Sequence, residues 1–316
     1  GAEYRKEEAS GTSDPLSQQV QPSGSIGAFV IGNQLPIAGH YDLWEIFGEA
    51  VVPLLRDSPL GKSFDLNGAV RRTDYSTSGA VVTWKGGVTY EPFDGLRLRA
   101  TRSRDIRAPN LGELFQAGGS SFTNVFDKVL NQTVQVREFS LGNTQLRPER
   151  ADTLTAGVVY QPRFLSGLSL SVDYYNIKVH DAIGTISTPL AIQRCDAGLT
   201  QFCSAIVFNP DGTIAYTVLQ NQNLNAFKTS GLDLEARYDF GFGFMPGRFS
   251  TRVLGTYVDK FVTVDSSGAN DRVGKISLFQ RVAGVPHFTG VADITYNNQD
   301  FSLNLQGRLV GAGKYN

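Results

Sequence analysis

The chain lacks the features that mark several common protein classes. Its 316 residues include only two cysteines and one methionine, and 29 basic residues stand against 30 acidic ones, a formal net charge of −1. Two cysteines are too few for a disulfide-rich scaffold or a four-thiolate zinc site. The near-neutral charge argues against nucleic acid as a partner, because electrostatic binders carry a basic stripe. No apolar run approaches the ~18 residues of a membrane-spanning helix, and no signal peptide opens the sequence.

The sequence does contain a strong alternation of apolar and polar residues. From Leu232 to Phe240, apolar residues occupy every even position, and acidic residues or arginine occupy every odd one. A period of two places the two sets on opposite sides of an extended strand. The pattern recurs and predicts about eleven strands of roughly 10–12 residues, longer than the ~5–6 typical of globular proteins. No segment requires a helix. After Tyr174 the phase slips, which we interpret as a β-bulge at Tyr174–Tyr175.

The two sides of these strands predict two environments. We expect the leucines at 96, 98, 232 and 234 to face lipid, and the charged residues between them to face a lumen. The charged set comprises Arg97, Arg99, Asp233 and Glu235.

Connections of two lengths alternate between the predicted strands. Short ones carry turn residues, as in Glu91–Gly95, whereas long ones span roughly 7–40, 105–150, 180–229 and 260–285. If each strand pairs with its neighbour in sequence, every long loop falls at one end of the sheet. Outer-membrane barrels have this arrangement, with short periplasmic turns, long extracellular loops and aromatic girdles. Aromatic residues indeed cluster at the short-turn end: Tyr90, Phe93, Tyr160, Phe164, Tyr238, Phe240, Phe242, Phe244, Tyr296 and Phe301. The predicted fold class is therefore all-β, a segment of an antiparallel transmembrane β-barrel.

Several segments have the form of known barrel motifs. Arg102–Phe115 resembles an R-x-R-A-P-x-x-x-E-L-F stretch, and Leu146–Gly157 resembles an L-x-P-E segment followed eight residues later by glycine. Trp44–Leu54, Leu170–Val179 and Thr229–Glu235 are similar to strands that accompany these motifs. Each piece is weak alone, but together and in order, from about residue 1 to 311, they resemble the β-barrel domain of TonB-dependent outer-membrane receptors.

This resemblance implies a domain organisation. The family has a TonB box and a plug inside a barrel of about 22 strands, whereas about eleven strands are predicted here. Neither the plug nor the box is visible, the first residue is not Met, and the family's terminal aromatic strand is missing. We therefore expect residues 1–316 to be part of one barrel domain, with the plug and the C-terminal strands outside it.

The resemblance also implies a function. It predicts energy-dependent uptake of a large, scarce substrate, such as a siderophore, vitamin or oligosaccharide, in the bacterial outer membrane. The implied partners are outer-membrane lipid, the ligand and a TonB-type energy-coupling protein, reached through the missing N-terminal region. Two alternatives stay open: a passive porin-like or adhesion barrel, and a soluble carbohydrate-binding β-protein.

No enzyme is predicted, and neither catalytic residues nor a cofactor or metal site is assigned. Glu45 and Glu49 share a strand side, but four residues at ~3.3 Å separate them by about 13 Å, beyond the ~5–9.5 Å of glycosidase pairs. We interpret both as solvated lumen residues. His40, His180 and His287 are scattered without metal-ligand spacing.

The long loop at 180–229 holds the candidate site residues. Cys195 and Cys203 lie in it, and a bridge between them would close a nine-residue ring worth about 2.5 kcal/mol. We expect this loop and the loop at 105–150 to select the cargo, because binding residues are often found on loops that a rigid scaffold positions. Its mixture of aromatic and amide side chains suits a glycan or a chelate better than a bare ion. The candidate ligand residues are Phe202, Phe208, Tyr216, Asn221, Asn223 and Asn225.

Overall fold

The fold is known from a computed structural model that describes residues 1–22, 26–29, 33–265, 268–276 and 284–315. In chain order the elements are β1 (Ala2–Gly11), α1 (Pro15–Gln18), β2 (Ile37–Ser58), β3 (Gly61–Tyr75), β4 (Gly79–Phe93), β5 (Leu96–Arg107), α2 (Leu111–Phe115), β6 (Gly119–Asp127), β7 (Gln132–Leu141), β8 (Glu149–Tyr160), β9 (Leu168–Gly184), α3 (Thr188–Asp196), a 3-10 helix (Thr200–Ala205), β10 (Ile206–Phe208), β11 (Ile214–Gln220), β12 (Gln222–Phe240), β13 (Arg248–Asp265), β14 (Gly268–Asp271), β15 (Lys275–Ile276), β16 (Phe288–Asn297), β17 (Ser302–Val310) and β18 (Lys314–Tyr315).

Eleven strands form the main sheet, in the order β1-β2-β3-β4-β5-β8-β9-β12-β13-β16-β17, and β14 adds to β13 at one end. Every neighbouring pair on this path is antiparallel. The meander confirms the predicted fold class and strand number. Its strands run from 9 residues in β17 to 22 in β2, so several extend well beyond the predicted length. Within the described residues β1 does not pair with β17, and the sheet stays open.

The two sides of the main sheet differ in chemistry, as the alternation predicts. One side, here called the apolar side, exposes large apolar groups, including Trp44, Ile46, Leu234 and Leu305. Residues directly opposite each other in an antiparallel pair share a side, so the register carries this surface from strand to strand. The other side, called the polar side, carries ion pairs between residues of different strands. Examples are Arg99 with Asp173, Arg252 with Glu235 and Arg71 with Glu45.

The predicted bulge at Tyr174–Tyr175 is wrong. β9 pairs with β8 without a register shift along the whole contact, from His180 to Leu170. The slip in the sequence pattern instead reflects a change of surroundings along the strand. Past Tyr174, toward the long loops, the apolar side of β9 carries polar side chains while the other side carries Tyr175 and Ile177. The irregularity of β9 lies beyond residue 179, in its pairing with β12.

The short turns pack closely against each other at one end of the main sheet. Gly95 and Gly167 have φ of 89° and 88°, a conformation that favours glycine. A Cβ on Gly95 would lie 2.2 Å from the carbonyl oxygen of Gln161, and one on Gly167 would lie 2.3 Å from that of Asp239. Aromatic rings stack across the same end, as between Phe240 and Phe249, whose centroids are 5.2 Å apart.

The long loops contain helices that the sequence pattern did not predict. α1, α2, α3 and the 3-10 helix all lie between strands at the loop end. Their 4 to 9 residues are too few for a 3.6-residue period to stand out. α2 begins at a capping box, in which Asn110 and Glu113 each accept from the other's backbone N–H. In the described part of the chain, no helix has the length and hydropathy needed to cross a membrane.

Candidate functional site

Two long loops join into a second sheet, here called the loop sheet (β6, β7, β10 and β11). The loop after β5 supplies β6 and β7, and the loop after β9 supplies α3, β10 and β11. The strand order is β10-β11-β7-β6. β11 runs parallel to β7, with Tyr216 opposite Arg137, so the link between the two loops is made by backbone hydrogen bonds. The two loops predicted to select cargo therefore form one structural unit.

A third loop, between β1 and β2, attaches to the edge of the loop sheet. Gln34 forms a bridge with Gly119 at the start of β6. The guanidinium of Arg137 donates to the carbonyl of Ile26 at 3.1 Å and lies over the ring of Phe122. Three of the long loops are thus held together at the loop end of the main sheet.

A small apolar core stabilises the loop sheet. It is formed by the buried residues Val125, Val136, Ile192 and Ile206, with Cys195 packed partly against them. Cys195 lies in α3 and is bonded to Cys203 in the 3-10 helix, with Cα atoms 4.9 Å apart. The bridge joins the only two cysteines of the chain and ties α3 to the segment that leads into β10.

A buried carboxylate connects the two hairpins of the loop sheet. Asp127 is 1% exposed. Its Oδ1 accepts from the backbone N–H groups of Val129 and Leu130 at 2.8 and 3.2 Å, and its Oδ2 accepts from that of Ile214 at 2.9 Å. The hydrogen bond from Ile214 lowers the pKa of Asp127 and outweighs the opposing effect of burial. Asp127 is therefore ionised at neutral pH and holds β11 against the β6–β7 turn.

The predicted aromatic ligand residues differ in how accessible they are. Phe202 is partly buried against the cluster of Ile186, Ala191 and Leu219. Tyr216 packs edge-to-face on Phe139, with ring centroids 5.5 Å apart. Phe208 is 46% exposed at the end of β10. It precedes the turn Asn209–Gly212, which joins β10 to β11.

The predicted asparagine residues make hydrogen bonds to the backbone at the base of the loops. The side-chain amide of Asn223 donates to the carbonyls of Arg147 and Asp181 at 2.8 and 2.6 Å, and its oxygen accepts from the N–H of Arg147. Asn221 donates to the carbonyl of Glu113 at 3.4 Å. The side chain of Asn225 lies outside the described residues. Asn221 and Asn223 thus anchor the loops in this structure.

An arginine clamp, which the sequence reasoning missed, lies at the same base. Arg107 ends β5 and donates to Glu113 of α2 at 2.9 Å and to Glu149 of β8 at 2.9 Å. Glu149 in turn accepts from the backbone N–H of Ile183 in β9 at 2.8 Å. Arg107 and Glu149 together therefore join three strands and a helix. The sequence did carry a signal for this clamp, because the two motifs that flank the loop between β5 and β8 each contribute one of its glutamates.

Beneath the clamp, the same two motifs supply an apolar core. Leu114 and Leu146 are 2% and 1% exposed and pack with Tyr41 and Leu43 of β2. Gly39 is needed beside this core, because a Cβ there would lie 2.2 Å from the ring of Phe115. The motifs thus fix the roots of the loops to the polar side of the main sheet.

A cavity of about 440 Å³ lies on the polar side between β1 and β5. Glu45 in its wall is 6% exposed and accepts from Arg71 at 2.9 Å and from Thr73 at 3.1 Å. The prediction that Glu45 is solvated is wrong, because these partners enclose its carboxylate. Glu49, by contrast, is exposed. The described residues contain no group of three His, Cys, Asp or Glu side chains placed to hold a metal ion.

The chain is similar to known proteins along its whole length. Residues 1–316 match the family model described as "TonB dependent receptor-like, beta-barrel". A curated relative, the heme/hemopexin utilization protein C of Haemophilus influenzae, is 26% identical over 199 residues, which are 59% of this chain and 26% of the relative.

Solved structures share the fold at low identity. A variant of the ferric enterobactin receptor PfeA from Pseudomonas aeruginosa, solved with enterobactin, has a TM-score of 0.65 at 15% identity over 98% of this chain and 38% of its own. The siderophore receptor PirA of Acinetobacter baumannii has a TM-score of 0.60 at 16% identity, over 99% and 40%. The RagAB peptide transporter has a TM-score of 0.57 at 14% identity, over 98% and 38%. The chain therefore spans about two fifths of the length of these structures.

Proposed function

Because the chain belongs to the TonB dependent receptor-like β-barrel family, we propose that it forms part of the barrel wall and the ligand-binding loops of an outer-membrane receptor. The proposed activity is energy-dependent uptake of a large and scarce substrate. A TonB-type protein would supply the energy by engaging a part of the receptor outside residues 1–316.

The two sides of the main sheet support a membrane position. On the apolar side, Leu232, Leu234 and their neighbours would contact the hydrocarbon region, while Arg99 and Glu235 on the polar side would line the lumen. Stacked rings at the short-turn end, such as Phe240 and Phe249, would lie at one membrane boundary. In that orientation the loop sheet stands outside the cell.

The observation that carries the proposal is the joining of the two predicted cargo loops into one sheet. Loops that fold on a shared core lose less conformational freedom when they bind. The core around Val125, the Asp127 carboxylate and the Arg107 clamp all restrain the loop sheet before any ligand arrives. It is therefore a preorganised recognition surface at the mouth of the barrel.

The substrate class follows from the side chains that this surface still exposes. Phe208 is open to solvent, and Tyr216 is partly exposed beside Phe139. Aromatic faces next to backbone and amide polar groups suit a ligand with flat apolar parts and a polar rim. We propose a metal chelate, either a ferric siderophore or haem, and this agrees with the substrates named for the similar proteins.

Uptake by the intact receptor in iron-limited cells tests this proposal. We expect Phe208→Ala and Tyr216→Ala to weaken uptake of either ferric enterobactin or haem about tenfold, the equivalent of ~1.4 kcal/mol. Phe164→Ala is the matched control, because Phe164 is exposed at the short-turn end. Uptake should stop when a protonophore removes the energy source.

Three outcomes would contradict the proposal. Uptake that persists with the protonophore indicates a passive pore. A response to a linear oligosaccharide alone indicates a glycan receptor. Unchanged uptake in both loop variants places recognition elsewhere in the receptor.

A further inference from the structure

The three long loops that join at the loop end contain very few side chains able to coordinate iron. Haem iron in proteins is held by histidine, cysteine, methionine or tyrosine. The segments 12–36, 108–148 and 185–221 contain no histidine and no methionine, and their two cysteines, Cys195 and Cys203, are bonded to each other. Tyr216 is therefore the one side chain in these segments that could hold haem iron.

The histidines of the chain lie elsewhere. The register of β2 with β1 and of β9 with β8 places His40 and His180 on the apolar side of the main sheet. The ring of His287 lies beside that of Tyr257 in β13, with centroids 6.1 Å apart. Met245 lies in the short turn after β12. None of these side chains belongs to the loop sheet, so Tyr216 has no competitor there as an iron ligand.

Tyr216 belongs to a row of three side chains that crosses the loop sheet. Arg137 of β7 lies opposite Phe122 of β6 and also opposite Tyr216 of β11. Residues paired in this way share a side of the sheet. The guanidinium carbon of Arg137 lies 5.3 Å from the centroid of the Phe122 ring. Thr217, on the other side of β11, is fully buried, so the row lies on the side that faces away from the apolar core.

The hydroxyl group of Tyr216 is held in place but has no protein partner among the described residues. Its ring packs edge-to-face on Phe139 and is partly exposed. Within the described ranges its oxygen makes no hydrogen bond. A tyrosine hydroxyl in protein surroundings usually finds a partner. This one is therefore placed to bind a group from outside the protein.

The two chelates named above make different demands on such a residue. A siderophore supplies the ligands of its iron itself, whereas haem leaves an axial position that a protein side chain fills. A ferric tris-catecholate is also strongly anionic and needs several cations. In the described part of the loop sheet, Lys128 is already paired with Asp196 at 2.6 Å, and Arg137 is the cation beside Tyr216. One guanidinium beside one phenol suits haem, which combines an open iron position with carboxylate side groups.

We propose that the row of Phe122, Arg137 and Tyr216 binds ferric haem, with Tyr216 as the iron ligand. On binding, the phenolic O–H bond breaks, the oxygen bonds to the iron, the iron stays ferric, and the proton passes to water. Arg137 takes a haem carboxylate through a charge-assisted hydrogen bond, and Phe122 positions its guanidinium. This inference rests on the proposed function and narrows its substrate class to haem.

Absorption spectroscopy of ferric haem with the intact receptor in a neutral detergent is the first test. The wild-type complex should show a phenolate-to-iron charge-transfer band. Tyr216→Phe keeps the ring against Phe139 but should lose this band and bind haem at least about tenfold more weakly, since even indirect partners of a metal ligand contribute that much. Tyr216→His should restore coordination with the spectrum of an imidazole ligand. The control Tyr174→Phe removes a hydroxyl on the apolar side and should change nothing.

Two further probes separate coordination and charge pairing from a merely structural role. The wild-type receptor should bind haem at least about tenfold more tightly than iron-free protoporphyrin, whereas Tyr216→Phe should bind the two equally. Arg137→Gln should weaken haem binding about tenfold but leave binding of haem dimethyl ester unchanged, because the ester has no carboxylate. An equal loss for the ester would show that Arg137 acts only through the fold, for example through its hydrogen bond to Ile26, and would overturn its assigned role.

The remaining outcomes distinguish this inference from the proposed function. An unchanged spectrum in Tyr216→Phe, or equal binding of haem and iron-free protoporphyrin by the wild type, would overturn the inference. Uptake of ferric enterobactin that a protonophore stops, without any binding of haem, would also overturn it but leave the proposed function intact. A receptor that takes up neither chelate would refute the proposed function itself.

Discussion

Arg99 and Asp173 form a bidentate ion pair that crosses the intervening strand β8. Arg99 lies in β5 and Asp173 in β9, and Gly157 of β8 lies directly between them in the register. The guanidinium reaches over the glycine to both carboxylate oxygens, at 2.9 and 2.7 Å. A Cβ on Gly157 would lie 1.8 Å from Asp173 Oδ1. The glycine that closes the second sequence motif is therefore required by this pair.

Gly157→Ala should destabilise the folded receptor because the methyl group displaces the carboxylate of Asp173. We expect coupling of about 0.5–3 kcal/mol between the two positions. In an Asp173→Ala background, Gly157→Ala should be neutral or stabilising by up to ~1 kcal/mol, since alanine suits a strand better than glycine. Melting temperatures of the four proteins in detergent measure this cycle. Equal effects of Gly157→Ala on the melting temperature in both backgrounds would show that the Arg99–Asp173 pair is not the reason for the glycine.

The loop sheet should lose stability in acid through Asp127. The pKa of this carboxyl is lowered in the fold, so its contribution is fully present above the unfolded value of about 3.9 and disappears as pH falls through the lower folded value. Amide hydrogen exchange, corrected for intrinsic rates, should show loss of protection in β6 and β11 below about pH 4. In Asp127→Asn, whose side chain does not titrate, protection should be lower at neutral pH and nearly independent of pH.

The Cys195–Cys203 pair should form a disulfide in the receptor isolated from cells. Mass spectrometry of the unreduced protein should find one cross-linked peptide and no alkylatable thiol. The double variant Cys195→Ser, Cys203→Ser should destabilise the loop sheet by up to about 2.5 kcal/mol. The main sheet should melt at its usual temperature, because the bridge contacts only loop residues. Two free thiols in the untreated protein would refute the pairing.

Leu234 and Leu254 provide a matched test of which side meets lipid. They lie on neighbouring strands, one row apart, on opposite sides of the main sheet. Leu234→Arg should cost about 2–4 kcal/mol in bilayers if it lies near the midplane. Leu254→Arg, beside Glu235 on the polar side, should cost much less. Equal costs in a bilayer refolding assay would contradict the assigned orientation.

Arg107→Ala should loosen the roots of the loops without unfolding the barrel wall. It removes the donor shared by Glu113 and Glu149, and unpaired, partly buried carboxylates cost about 1–3 kcal/mol. Hydrogen exchange should rise in α2 and at Ile183. Arg107→Lys should restore protection only partly, because a lysine ammonium lacks the planar guanidinium that donates to two carboxylates at once. Unchanged exchange in Arg107→Ala would show that the core around Leu114 holds the loops by itself.

The main sheet was predictable from the sequence because its signal is local. A period of two identifies the strands, and turn residues set their order, so the eleven-strand meander follows without long-range information. The bulge prediction at Tyr174 failed for a physical reason. A change from apolar to basic surroundings at Lys178 produces the same sequence pattern as a shift of register.

The loop sheet was not predictable because its pairings join distant segments. Tyr216 lies opposite Arg137, and no periodicity marks β7 or β11 as partners. The burial of Glu45 depended in the same way on Arg71 and Thr73 from the next strand. The clamp at Arg107 was predictable in part. Its two glutamates stand in recognisable sequence motifs, but only the folded structure shows that both contact Arg107.

The parallel pairing of β11 with β7 constrains how this surface changes during evolution. An insertion in either hairpin would shift the edge against which the other hairpin is built, so the two loops cannot diversify independently. Successful grafts between relatives should carry residues 108–148 and 185–221 together, as one exchangeable cassette. New specificities would then arise by replacing the pair, or by substitutions confined to exposed positions such as Phe208.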